Sequence, residues 1–286
     1  MSAGSRRQGA GGRVREVGEE RLPQGRSDTS VWRSDRGVHR TTGPWTATVH
    51  ELLDHLARAG FDGAPRVLGF DDQGRELLTY VDGEVLADPT WQPGDPGPWP
   101  AYARSEEALV AAGALLRRFH DAAAGFRPTR PVWMRHAWPD LLDGEVVCHG
   151  DIGRHNTVYR DGLPVAFIDW DTIRPDLPLV EFGAAAWKYV PLGTDAYFAA
   201  SAFADEPDLP DLPRRLALFA EAYGVTDAPD VGWALQHGKQ RSVELMRHWP
   251  IDAAEAAALL RLIAADLEWL AASSPTLLGQ LGRCPR

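Results

Sequence analysis

Residues 149–171 read HGDIGRHNTVYRDGLPVAFIDWD, and this one stretch gathers the side chains that a metal-dependent transfer reaction requires. The apolar run at 145–148 is expected to be a short strand leading directly into His149-Gly150-Asp151, so a carboxylate stands at a strand end where a loop can present it. Asn156 follows five residues later. Residues 157–160 and 163–168 are β-rich and are separated by Asp161-Gly162, a pair that favours a two-residue hairpin turn. With that turn Arg160 faces Leu163 and, counting back, Asn156 comes opposite Phe167, so Asp169 lies about two residues further along the neighbouring strand. Phosphoryl transfer needs such a set: magnesium takes oxygen ligands and bridges phosphate oxygens, while a separate carboxylate orients the attacking hydroxyl and accepts its proton. Asp151 is therefore the expected catalytic carboxylate, Asn156 and Asp169 the expected metal ligands, and His149 the brace of the loop. Turn chemistry is the competing explanation for the Asp and Asn residues. For His149 and His155 the rival is a zinc pair, which no Cys or Glu-x-x-His companion supports.

These residues need elements to position them. Residues 31–41 read as a hairpin around Ser34-Asp35-Arg36-Gly37. In TATVHELLDHLARAG, Val49, Leu52, Leu53 and Leu56 recur at helical spacing and Gly60 suits the helix end. A second hairpin is expected from 66–70 and 75–81 across Asp71-Asp72-Gln73-Gly74, giving the order ββ-α-ββ. Residues 87–101 are too dense in Pro and Gly for helix or central strand and mark a boundary. Beyond it, Leu109, Ala112, Leu116 and Phe119 predict a helix over 105–125, and 212–223, 231–248 and 253–272 read as helices, with acidic, Pro-rich loop material at 191–211. The expected organisation is a disordered tail at 1–18, a small lobe at 19–82, a connection at 83–104 and a large helical lobe with the hairpin at 105–286.

Composition narrows the partners. The net charge is −10, yet residues 1–40 carry nine Arg against five acids, so the rest of the chain holds about −14. That balance argues against a nucleic-acid partner and suits a cationic substrate, although ordinary solvation explains it equally well. Even the Ala/Leu-rich stretch 253–272 is interrupted by Glu255, Arg261, Asp266 and Glu268, so no membrane span is expected. The N-terminal residues lack the apolar segment of a secretory signal, and Cys148 and Cys284 suggest neither a disulfide framework nor a CxxC metal site; a reducing cytoplasm is the expected compartment. Of thirty basic residues only Lys188 and Lys239 are lysine.

HGDxxxxN, followed twelve residues after the Asn by a hydrophobic-IDWD segment, resembles the aminoglycoside phosphotransferase and choline/homoserine kinase superfamily, itself similar to protein kinases. The resemblance implies a two-lobed α+β fold with a small antiparallel-sheet lobe and a mainly helical large lobe. It also implies ATP or GTP as donor, Mg2+, and a small molecule whose hydroxyl is the acceptor. Asp151 would be the catalytic base, with Asn156 and Asp169 binding magnesium. TYVDGE at 79–84 looks like the hinge where the backbone of Thr79 and Val81 meets the nucleotide base, and LLRRFHDA at 115–122 looks like the family's leucine-rich helix ending in His.

Some features depart from the family pattern. No lysine precedes residue 188, so the small-lobe strand lysine that normally holds the phosphates is missing; Arg40 is its best replacement, with Arg33 or no anchor as alternatives. His50 or Glu51 would be its helix partner, Gly25 the contact from a thin glycine loop, and Glu181, where the family usually has Asp, a structural residue. Arg154 reads as a phosphoryl neutraliser or as a solvent-facing or ion-paired side chain. Asp171 would touch substrate or metal, or cap the loop. Trp187, Tyr189, Trp233 and Trp249 would line an acceptor pocket or fill the core. A kinase-fold protein that binds nucleotide or a partner without transferring phosphate is the alternative function.

Overall fold

Hydrophobic alternation around the Asp35-Arg36 turn yields β2 (Val31–Ser34) and β3 (Gly37–Arg40), which pair antiparallel with Ser34 opposite Gly37. The structure is a computed structural model that describes residues 18–22, 30–86, 99–135, 140–193, 211–246 and 252–282. With β1 (Glu20–Arg21), β4 (Val67–Phe70) and β5 (Glu76–Leu78), these strands form a five-stranded antiparallel sheet in the order β1-β2-β3-β5-β4. Helix α1 (Thr46–Arg58) is inserted between β3 and β4, and Val49, Leu52, Leu53 and Leu56 are buried as their spacing predicted. Gly60 follows in the left-handed region at φ +79°.

The strand expected to reach residue 81 stops at Leu78. From there the chain crosses to β6 (Glu84–Val85), which pairs not with the first sheet but with β8 (Thr157–Arg160), itself paired with β9 (Leu163–Phe167). A separate two-stranded ribbon joins β7 (Val146–Cys148) to β10 (Arg174–Asp176). Helix α2 (Ala101–Arg104) leads into α3 (Glu106–Ala123), which begins at Ser105; the Ser105 hydroxyl accepts from the Ala108 amide at 3.0 Å, and Glu106 and Glu107 lie favourably in the first turn. After β10 come α4 (Pro178–Tyr189), α5 (Leu212–Tyr223), α6 (Ala228–Met246) and α7 (Ala253–Leu277). Helix α7 runs past the expected end at 272 and through Pro275, because burial of Leu277 holds the last turn and the Ser274 hydroxyl donates to the Leu270 carbonyl. Among the described residues no helix is long and apolar enough to cross a membrane.

A continuous apolar cluster runs from α1 through Leu116 and Phe119 of α3 to Phe167, Trp170 and the inner faces of α4, α5 and α6. The tightest helix contact within it is between α4 and α6. A Cβ on Gly183 would stand 1.8 Å from the Ala234 carbonyl oxygen, and one on Gly238 would stand 2.2 Å from the Ala184 amide nitrogen. Trp187 Nε1 donates across the same crossing to the Leu235 carbonyl at 2.9 Å. Because the obstructing atoms are backbone, no side-chain rotation relieves an added methyl. Gly183→Ala should therefore destabilise the fold by about 2 kcal/mol or more, read as a thermal midpoint lower by about 4 °C or more.

Candidate active site

Strand β7 ends at Cys148, and Gly150 turns the chain at φ +86°. A Cβ there would lie 2.1 Å from the Thr172 carbonyl oxygen, so both the dihedral and the close approach require glycine. The turn delivers Asp151 to the mouth of a short 3-10 segment (Arg154–Asn156) that opens into β8.

The β8–β9 register corrects one expectation. Arg160 faces Leu163 and Tyr159 faces Pro164, but the register then shifts, so that Val158 faces Ala166 and Thr157, not Asn156, faces Phe167. A bulge at Val165 absorbs the extra residue, next to a proline that has no N–H to give the ladder. Asn156 consequently lies one step nearer Asp169, and its carbonyl accepts from the Ile168 amide at 3.0 Å.

Asp151 is bound on both carboxylate oxygens. Oδ2 accepts from Asn156 Nδ2 at 3.1 Å and pairs with His155 Nε2 at 3.2 Å, while Oδ1 accepts from Lys188 Nζ at 2.6 Å. Burial pushes this carboxyl up, but Lys188 and His155 outweigh burial and hold it well below the ordinary carboxylate range. Asn156 Nδ2 also donates to the Asp151 carbonyl at 3.0 Å, which leaves its Oδ1 uncommitted among the described residues. His149 is fully buried: Nδ1 accepts from the Asp151 amide at 3.3 Å and Nε2 donates to the Ile168 carbonyl at 2.9 Å, a neutral tautomer whose pKa burial lowers. It ties the loop to the end of β9.

Asp169 adopts φ 64° and ψ 60°, a left-handed conformation that costs a non-glycine residue about 1 kcal/mol or more and tends to mark functional sites. Arg40 is buried on β3, with its Nη2 2.7 Å from Asp169 Oδ1 and 2.7 Å from Asp171 Oδ2, and its Nη1 3.1 Å from Glu76 Oε1. The partner of Arg40 is thus Glu76 on β5 rather than a residue of α1. His50 reaches only the far oxygen of Glu76, at 3.0 Å, and Glu51 instead accepts from the Thr129 amide at 2.8 Å. Asp171 is buried against Arg40. Burial raises the Asp169 carboxyl against the pull of Arg40, and Asp171 and Asp151 raise it further. Its side chain is nonetheless 40% exposed, against 7% for Arg40. An exposed Asp169 carboxylate and an Asn156 amide oxygen uncommitted among the described residues are oxygen donors of the kind that could hold a hard divalent cation.

Other assignments fall out less evenly. Thr79 and Val81 lie on the passage between the two sheets, where the Thr79 hydroxyl accepts from the Arg66 amide at 2.8 Å. Arg154 is placed over the Trp99 ring, 3.6 Å from its centroid. Trp187 and Tyr189 are core residues, and Trp233 stacks on His237. Gly25 and Trp249 lie outside the described residues.

Three contributors were not anticipated in these roles. Lys188 reaches the site from α4. Arg135, desolvated, sits within the fields of Asp151, Asp169 and Asp171. Glu181, expected only as a structural residue, grips the loop backbone: Oε1 accepts from the Gly150 amide at 2.6 Å, and Oε2 accepts from the His149 amide at 3.1 Å and from His120 Nε2 at 2.9 Å. His120, the last residue of the FH pair on α3, is bonded in turn to the Tyr223 hydroxyl at 2.7 Å. Spacing could have linked Glu181 and Lys188 as one helix face, two turns apart, but not the loop they serve.

Known proteins resemble this chain in the segment that carries this geometry and in its fold. Residues 130–219 match the phosphotransferase enzyme family. Over 171 residues the chain is 40% identical to the trifolitoxin immunity protein of Rhizobium leguminosarum bv. trifolii, covering 58% of this chain and 60% of that protein. The chain thus matches about 60% of the length of that relative. A choline/ethanolamine kinase family protein from Mesorhizobium loti superposes with a TM-score of 0.57 at 16% identity, covering 91% of this chain and 93% of its own. A spectinomycin phosphotransferase in complex with ADP and spectinomycin gives 0.51 at 10% identity, covering 90% and 93%. The phosphotransferase-family resemblance holds, and the chain has the kinase-like α+β fold of these structures.

Burial raises Glu181, but His120 and the loop amides more than offset it and hold its pKa at about 2, below the ordinary 4.5. A depressed carboxylate stabilises the fold fully above the unfolded value and loses that contribution as pH falls. Stability should therefore drop by about 3 kcal/mol between pH 4.5 and about 2 through this group, and Glu181→Gln should lose a similar amount at pH 7 with a flatter acid limb, measured by urea unfolding across pH.

Proposed function

We propose that this chain is a magnesium-dependent O-phosphotransferase that moves the terminal phosphoryl group of ATP or GTP to a hydroxyl of a small molecule. The observation that carries it is the joining of Asp151 to Asn156 beside a left-handed Asp169, inside the segment that matches a phosphotransferase family. The small lobe at 19–82 and the large lobe at 105–286 would enclose the nucleotide, with Thr79 and Val81 at the hinge, the connection at 83–104, and Gly25 and Arg40 toward the phosphates. Mg2+ on Asn156 and Asp169 would supply charge neutralisation for the phosphates. Asp151, ionised at neutral pH, would orient the acceptor hydroxyl and take its proton late, as a loose phosphoryl-transfer transition state permits. The named relative confers immunity and one fold neighbour phosphorylates an antibiotic. Both support a role in disarming a toxic hydroxyl compound, with the cytoplasm as the proposed compartment, and the acidic balance of the chain beyond residue 40 suits a cationic one.

One observation favours a second reading, a nucleotide binder without transferase activity: Arg40, the best replacement for the missing strand lysine, is engaged by three carboxylates. The two readings separate in one set of assays. For the transferase, ATP or GTP should raise the thermal midpoint only with magnesium, the shift should shrink in Arg40→Ala and Asp169→Ala, and EDTA should abolish it. Asp151→Ala should lose about a thousandfold in turnover while still binding nucleotide, and Asn156→Ala a comparable factor. Nucleotide bound with no phosphorylated product over a panel of aminoglycosides, amino alcohols and toxic peptides would favour the second reading.

A further inference from the structure

Asp151 is nearly saturated. A carboxylate offers about four acceptor positions, two on each oxygen. On Asp151 both positions of Oδ2 are taken, by Asn156 and His155, and one position of Oδ1 is taken by Lys188. Within the phosphotransferase reading, on which this inference rests, the acceptor hydroxyl must therefore approach the remaining position on Oδ1. Two groups bound to one oxygen stand about 4 to 5 Å apart, so the Lys188 ammonium lies beside the attacking oxygen and next to the phosphoryl group in transit.

The surroundings of Lys188 fit that placement. Its side chain is 35% exposed, so the ammonium faces the cleft rather than the core. A Cβ on Gly153, two residues after Asp151, would lie 2.7 Å from Lys188 Cδ and 2.9 Å from His155 Cε1, so the lysine stem passes over the bare backbone at 153 and a side chain there would displace it. Arg154, the basic residue nearest in sequence to Asp151, is drawn aside onto Trp99. Arg40 is occupied on the other side by Glu76, Asp169 and Asp171.

We propose that Lys188 is a catalytic residue that neutralises the transferring phosphoryl group, delivered from α4 through the gap at Gly153. In the step, a lone pair of the acceptor oxygen forms a bond to the terminal phosphorus, and the bond from that phosphorus to the bridging oxygen breaks with its electron pair going to the nucleoside diphosphate. The acceptor proton passes to Asp151 Oδ1. Lys188 keeps its protons and stabilises the charge spread over the phosphoryl oxygens.

Water can stand in for the acceptor, so phosphate release from magnesium ATP reads the step without knowledge of the substrate. Lys188→Ala should lower that release about a hundredfold or more, leave the Kd for magnesium ADP within about twofold, and weaken binding of magnesium ADP with aluminium fluoride, a mimic of the phosphoryl group in flight, by a factor close to the loss in turnover. Lys188→Met should behave alike, and Lys188→Arg should recover part of both losses. Gly153→Ala keeps the lysine but should push it off Oδ1 and cost about tenfold. Wild-type turnover with Lys188→Ala within threefold of it, or unchanged aluminium fluoride affinity in that variant, overturns this inference alone. Wild-type protein that releases no Asp151-dependent phosphate from either magnesium ATP or magnesium GTP removes the phosphotransferase reading and this inference together.

Discussion

Three carboxylates, Asp151, Asp169 and Asp171, are crowded into a partly buried cleft, and the rest of the structure is arranged around partnering them. Like charges in such a place repel, and burial favours their neutral forms. Asp169 shows the strain directly, with its carboxyl pushed up by burial and by its two neighbours. Arg135 lies within the fields of all three carboxylates, and two further cations pair with them directly from opposite sides. Arg40 comes from the first sheet and clasps Asp169 and Asp171; Lys188 comes from α4 and clasps Asp151. Neither belongs to the segment that carries the acids. The ion pairs of Arg40 consequently bind the five-stranded sheet to the turn that follows the β8–β9 hairpin.

Holding Lys188 and the loop in register falls to α4. Glu181 and Lys188 are seven residues apart on one face of this helix; the first takes the amides of His149 and Gly150, and the second takes Asp151. A shift of α4 along its axis would disturb both. Backbone contact with α6 at Gly183 and Gly238 limits such a shift, as does the Trp187 bond to Leu235. On its other side Glu181 is braced through His120 by Tyr223, so α3 and α5 are tied to the same loop. The buried Glu181–His120 pair is weak evidence for stability as such. Its four-membered chain of bonds is better understood as fixing the loop's position.

Local pattern carried much of this into the sequence. Helix α1 was legible because its apolar stripe repeats at helical spacing, and the β8–β9 hairpin because Asp161-Gly162 sets a two-residue turn. What escaped was non-local or subtle. The bulge at Val165 moves Asn156 by one residue, and only the neighbouring Pro164 hinted at it. Arg40 was identified on its strand, but its partner was sought on the following helix, whereas sheet pairing places Glu76 directly opposite it. That pairing depends on strand order, which no short-range pattern encodes. Lys188, thirty-seven residues from Asp151, was noticed only as one of two lysines.

The case of Lys188 shows why motif spacing finds acids at such sites more readily than bases. In the proposed roles Asp151, Asn156 and Asp169 must hold fixed angles to one another, so one short segment of chain supplies all three at a set spacing. A neutralising cation has a looser requirement, since its attraction falls off gradually with distance and tolerates many directions. Any element that can bring an ammonium into the cleft will serve, and a lysine's four-carbon stem gives it reach. What such a delivery does require is room along the stem. The trace it leaves in the catalytic segment is therefore not a basic residue but a missing side chain, and in this chain that trace is Gly153.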